Sequence, residues 1–195
     1  MKFFAVSLAV MLAFGSVFAR NEEKPKVLAK VTKLPVALNP DFQFRKKKLY
    51  FLDPVFVQHG GPSSLQAGGK QAGVSPSSKG STTQQDASIS FERSYRLFGA
   101  VTALDRSQRY GNYFDFWWRA RRPANVNVRL EYRQQRTHAH VQAQEISYAN
   151  AHGTNKTEFK VIGDDFADDG RVVAWRCVLI ENGVIVAETH SYLWD

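Results

Sequence analysis

Apolar and polar side chains alternate along the C-terminal half of the chain. Between residues 126 and 135, Val126, Val128, Leu130 and Tyr132 interleave with Asn127, Arg129, Glu131 and Arg133. That pattern gives a strand one buried face and one wet face. Runs at 89–97, 112–122, 141–148, 154–162, 171–180 and 184–193 share its β-branched and aromatic character. Turn-forming sequences separate the runs, at Tyr110-Gly111, Pro123-Ala124, Asn150 to Gly153 and Asp164 to Gly170. No stretch keeps a 3.6-residue apolar period over a useful length, so no amphipathic helix is predicted.

The last two runs flank Asn182-Gly183, a strong hairpin signal. Two registers compete. A two-residue turn sets Ile180 opposite Ile185. A three-residue turn sets Ile180 opposite Val184, groups Trp175, Cys177 and Leu179 with Ile185, Ala187 and Thr189, and leaves Arg176 facing Glu188 as an exposed pair. The second separates apolar from polar more cleanly and is the expected register. Seven short strands over residues 89–195 predict an all-β domain, an antiparallel sandwich of immunoglobulin or fibronectin size. The likeness is one of architecture, since the single cysteine, Cys177, excludes the Cys…Trp…Cys spacing and any intramolecular disulfide.

The preceding chain has a different character. Residues 1–19 read as a signal peptide: Lys2, an apolar core, then Val17-Phe18-Ala19 as the cleavage site. The expected location is secreted or periplasmic. The alternative is anchoring in a membrane through residues 3–19, a span at the short end for a membrane helix. Residues 20–48 form a basic, proline-containing arm expected to be mostly irregular. Residues 49–57 resemble a short edge strand interrupted by Pro54. Residues 58–88 are rich in Gly, Ser and Gln with almost nothing to bury, and read as a disordered, flexible linker.

Charge matters by location. The net charge is +8, but residues 20–48 supply nine basic and three acidic side chains, whereas residues 49–195 carry sixteen and fifteen. A nearly neutral domain lacks the footprint of a nucleic-acid binder, so no such partner is expected. The basic arm from Arg20 to Lys48 suits an anionic membrane surface or an acidic envelope polymer.

Candidate chemistry is sparse. In the run 112–122, alternation puts Phe114, Phe116 and Trp118 on one side. Tyr113, Trp117, Arg119 and Arg121 fall on the other, where they form a candidate ligand-binding face. His138 and His140 share a strand face, and Asp164, Asp165, Asp168 and Asp169 crowd one turn. These six are weak metal-ligand candidates, because a site needs more convergent donors than either stretch supplies. No G-x-S-x-G and no phosphate-binding glycine loop occurs, so no catalytic residue and no cofactor is assigned. The expected function is that of an exported, non-catalytic binding or structural module. The alternatives are an enzyme or metal-binding protein working through the His138/His140 or Asp164–Asp169 stretches, and an outer-membrane β-barrel.

Overall fold

The computed structural model describes residues 24–28, 30–54 and 84–194. The signal segment and residues 55–83, which include most of the expected linker, lie outside the described residues. The described chain is predominantly β, with six strands in one antiparallel sheet: β1 (Lys26–Leu28), β2 (Phe42–Leu52), β3 (Gly111–Gln134), β4 (Gln142–Ile162), β5 (Val172–Glu181) and β6 (Val184–His190). Three helices accompany them: α1 (Gln84–Leu97), α2 (Ala103–Ser107) and α3 (Asp164–Asp169).

The all-β expectation holds at that level, while the strand inventory differs. The runs at 112–122 and 126–135 are one strand, β3, and those at 141–148 and 154–162 are likewise one strand, β4. The expected turns are bends within continuous strands. Pro123 sits where the β3–β4 register shifts, between Ala120 and Ala124, so its missing N–H interrupts no ladder pair. Opposite it, Asn150 and Gly153 take left-handed φ values of 50° and 71° and bend β4 at the same level. The other edge of β3 is shared. Its first half pairs with β2 and its second half with β5. The sheet therefore folds over on itself, and one core lies between its two halves in place of the two separate sheets of a sandwich.

That core follows from the alternation. Phe114, Phe116, Trp118 and Ala120 continue in phase into Val126, Val128, Leu130 and Tyr132, all on the inner face. Trp175 of β5 crosses the gap, with ring centroids 6.0 Å from Phe114 and 5.5 Å from Phe116. Trp118 is fully buried, and its Nε1 donates to Thr157 Oγ1 at 2.9 Å, so its one polar atom is satisfied. The open mouth between β2 and β6 is spanned by Lys47, whose ammonium lies 5.1 Å from the Trp175 ring and donates to the His190 carbonyl at 3.5 Å.

The hairpin β5–β6 corrects the expected register. Ile180 faces Ile185 across a two-residue Asn182-Gly183 turn, with φ of 51° and 78°, the left-handed pair such a turn requires. A bulge between Leu179 and Ile180 then shifts the pairing, so Leu179 meets Ala187 and Cys177 meets Thr189. Ala187 thus shares the core face with Trp175, Cys177 and Leu179, as expected, but Ile185 joins Val178 and Ile180 in a second cluster on the outer face. Arg176 faces His190, not Glu188. Its guanidinium instead reaches Glu131 on β3, with Nη2 at 2.7 Å from Oε2.

The N-terminal stretch is more ordered than its composition suggests. β1 pairs with the edge of β4, Leu34 covers the second cluster, and Val36 bridges Ile185 in parallel. The described residues between 26 and 39 thus run across the outer face of the second half of the sheet, from one edge to the other. β2 begins at Phe42, within the expected irregular arm, because Phe42 and Phe44 turn inward while Arg45 to Lys48 stay exposed. Lysines along such an edge discourage pairing with another chain.

Residues 89–97, expected as a strand, are the body of α1. No helix among the described residues is long and apolar enough to cross a membrane.

Candidate binding groove

The outer face of the first half of β3 carries Tyr113, Asp115 and Trp117 by strict alternation. Register on both sides completes three rows across three strands. Lys46 and Lys156 flank Trp117, Lys48 and Glu158 flank Asp115, and Tyr50 and Lys160 flank Tyr113. Trp117 lies between two ammonium groups, with Lys46 Nζ 5.1 Å and Lys156 Nζ 5.2 Å from its ring.

Helix α1 lies over these rows and is held by charge. Glu92 is buried, accepts from Lys48 Nζ at 2.6 Å and pairs with Arg96, one helical turn on, at 2.8 Å. Arg96 also reaches Asp115 at 3.6 Å and stacks its guanidinium 4.2 Å from the Tyr113 ring centre. Arg109 donates to the carbonyls of Arg96 and Phe98 and closes the C-terminal end of the helix. Apolar side chains of α1, Ile89, Phe91 and Tyr95, and Phe98 just past its end, are exposed.

Electrostatics follow from this packing. Desolvation works against the charged form of Glu92, but the hydrogen bonds from Lys48 and Arg96 outweigh it and hold its pKa below the ordinary value. At Asp115 burial wins: desolvation and then the neighbouring Glu158 carboxylate raise its pKa against the pull of Lys156 and Arg96. Burial also raises Tyr113, whose hydroxyl donates to the Arg109 carbonyl at 2.6 Å. Lys156 is desolvated yet held above its usual value by its hydrogen bond to Glu158 and the charge of Asp115.

Between α1 and the sheet lies an open groove of about 770 Å³, within the usual range for small-molecule sites. Six cations line it, Lys46, Lys48, Arg96, Arg109, Lys156 and Lys160, against three carboxylates, Glu92, Asp115 and Glu158. All three carboxylates are engaged in ion pairs, whereas Lys46 and Lys160 make none with a described carboxylate. The groove therefore has cationic capacity to spare beside an aromatic floor.

Of the sequence-derived ligand candidates, Tyr113 and Trp117 lie in this groove. Arg119 and Arg121 continue along β3 as exposed side chains and are not among its lining residues. His138, with φ of 50°, and His140 are exposed on the turn after β3, which lies against α3 because Arg136 N donates to the Asp169 carbonyl. Asp164 accepts from Gln108 and Asp169 from Gln142, while Asp165 and Asp168 are exposed on α3. Among the described residues no three His, Cys, Asp or Glu side chains come together as a metal site. Glu92 and Arg96, which build the lid of the groove, went unread within a stretch taken for a strand. Their i,i+4 spacing of opposite charge was the available signal.

No family model, curated protein or solved structure matches the chain.

Proposed function

We propose that the protein is an exported, non-catalytic binding module built on a sandwich-like β core, and that an anionic ligand occupies the groove under α1. The observation that carries this reading is the Trp117 ring flanked by the ammonium groups of Lys46 and Lys156. An aromatic face packs a ring or chain of the ligand, while the lysine heads engage phosphate, sulfate or carboxylate. Export rests on residues 1–19, with a secreted or periplasmic destination, and membrane anchoring through residues 3–19 is the alternative. The basic stretch from Arg20 to Lys48 fits the same ligand chemistry, since its last segment, β2, supplies two of the groove lysines.

Isothermal titration with glycerol phosphate and with heparin as a sulfated polymer tests the reading. Binding that weakens with salt is expected, with loss of affinity in Trp117→Ala and in Lys46→Ser. Wild-type affinity in both variants, or no binding of either probe, would overturn it.

A further inference from the structure

Two features lie on the same side of the molecule. One is the cationic groove. The other is an exposed apolar ridge, formed by Phe91 and Tyr95 one turn apart on α1 and Phe98 just past its end. Phe91 is 70% exposed and Phe98 83%. The apolar surface continues along the chain through Val101, 80% exposed, and Leu104 on α2. A soluble domain usually turns the apolar side of a surface helix inward. Here the inward side carries Glu92 and Arg96, and Phe91 and Tyr95 beside them stay exposed. Exposed apolar surface of this kind, rimmed by polar residues, marks a contact with a partner or a membrane.

We infer that this face docks on a bilayer of anionic phospholipid. A headgroup phosphate sits in the groove against Lys46 and Lys160, and Phe91, Tyr95, Phe98, Val101 and Leu104 enter the headgroup–acyl boundary. The inference rests on the proposed anionic site and names its ligand. Charge complementarity selects an anion, because the groove holds six cations against three carboxylates that are already paired. The ridge selects an amphiphile in a surface. Phe91, Tyr95 and Phe98 form one wall of the groove, so headgroup and acyl region meet the protein side by side. Val101 and Leu104 extend beyond the groove lining, so a ligand seated in the groove alone leaves them bare, whereas a bilayer covers them. Shallow insertion of aromatic and aliphatic side chains beside lysines is how interfacial helices hold to anionic membranes. Lys46 is exposed on β2, where its stem can reach toward headgroups.

The test is vesicle flotation with the chain from Arg20, which keeps every contact described above, run beside titration with soluble glycerol phosphate. The vesicles are phosphatidylcholine alone, or phosphatidylcholine mixed with phosphatidylglycerol. The wild type is expected to float only with the anionic vesicles. The double variant Val101→Ser, Leu104→Ser changes exposed positions outside the groove lining and is expected to keep its circular dichroism and its glycerol phosphate affinity. Its vesicle affinity should fall at least about tenfold. Lys46→Ser and Lys160→Ser should each weaken vesicle binding about fivefold at low salt. Glycerol phosphate binding without flotation would overturn the bilayer inference and leave the anionic site standing. Failure of both would remove both. Undiminished flotation of the double variant would refute insertion by this apolar surface. A wild-type dimer in light scattering that the double variant loses, without flotation, would assign the surface to contact between copies and overturn the inference.

Discussion

Truncating Arg176 to alanine puts the outer face of the sheet to a quantitative test. The alternation of β5 marks Arg176 as a solvent-facing residue, and an exposed ion pair with Glu188 would contribute under about 1 kcal/mol. The structure places Arg176 differently. Its Nε and Nη2 lie 3.2 and 2.7 Å from one oxygen of Glu131, and Glu131 is only 3% exposed. Glu188 is a secondary partner at 3.8 Å. After truncation Glu131 keeps Arg129 at 3.8 Å, but that guanidinium is already bound to Glu145 at 2.8 Å. A buried carboxylate that loses its main partner costs about 3–5 kcal/mol, and the partial exposure of Arg176 and the residual Arg129 contact bring the expected loss to about 2–4 kcal/mol. Urea melts at pH 7 measure it. Glu188→Ala, on the exposed side of the same guanidinium, should cost under about 0.5 kcal/mol. The double variant Arg176→Met, Glu131→Leu should recover most of the loss, because the cost lies in the orphaned charge. A loss below about 1 kcal/mol for Arg176→Ala, matched by Glu188→Ala, would refute the burial of Glu131 as the cause.

Further outcomes follow from other sites. Trp175→Ala removes a ring packed on Phe114 and Phe116 and should cost about 3–5 kcal/mol in the same melts. The depressed pKa of Glu92 means that its contribution is present above its ordinary value of 4.5 and lost as pH falls through the lower folded value. Hydrogen exchange should therefore show α1 loosening in acid while the strands hold. Asp115 has a raised pKa, so its contribution runs the other way and grows as pH falls. Asp115→Asn should then steepen the acid loss, and an unchanged pH profile would count against the desolvation of Asp115. Cys177 is buried and its thiol pKa is pushed well up by desolvation, so Ellman's reagent should label it only in denaturant. Labelling in the native protein would place the β5 face wrongly.

Much of the β architecture was legible because period-two alternation is strong where one face is buried. β3 shows it throughout, and the split between Phe114, Phe116, Trp118 and Tyr113, Asp115, Trp117 separates core from groove. What escaped was continuity. Pro123 reads as a break, yet it falls where β3 exchanges one edge partner for another, so the ladder has no need of its N–H there. The hairpin escaped by one residue: faces sorted correctly near Trp175, but the bulge at Leu179/Ile180 is a local adjustment that no pattern of hydrophobicity records. α1 escaped for a deeper reason. Ile89, Phe91, Tyr95 and Leu97 satisfy a period of two, and a helix with its charges inward and aromatics outward inverts the signal that periodicity reads. The groove depends on that inversion, so its lid was the part least visible from composition.

The bend shared by β3 and β4 has a consequence for how the protein comes apart. A sandwich of two sheets can lose one layer while its partner persists, because few covalent links cross between them. Here both layers are stretches of the same two strands, with β2 and β5 laid along one edge of β3, so neither layer can leave without carrying β3 and β4 with it. Opening anywhere along that edge exposes the single core to water, so partial unfolding gains little entropy for the apolar surface it wets. The amides of β3 on either side of Pro123 should therefore exchange in one cooperative class, at the free energy of global unfolding. The protein then behaves as one foldon, with α1 as the piece free to leave it.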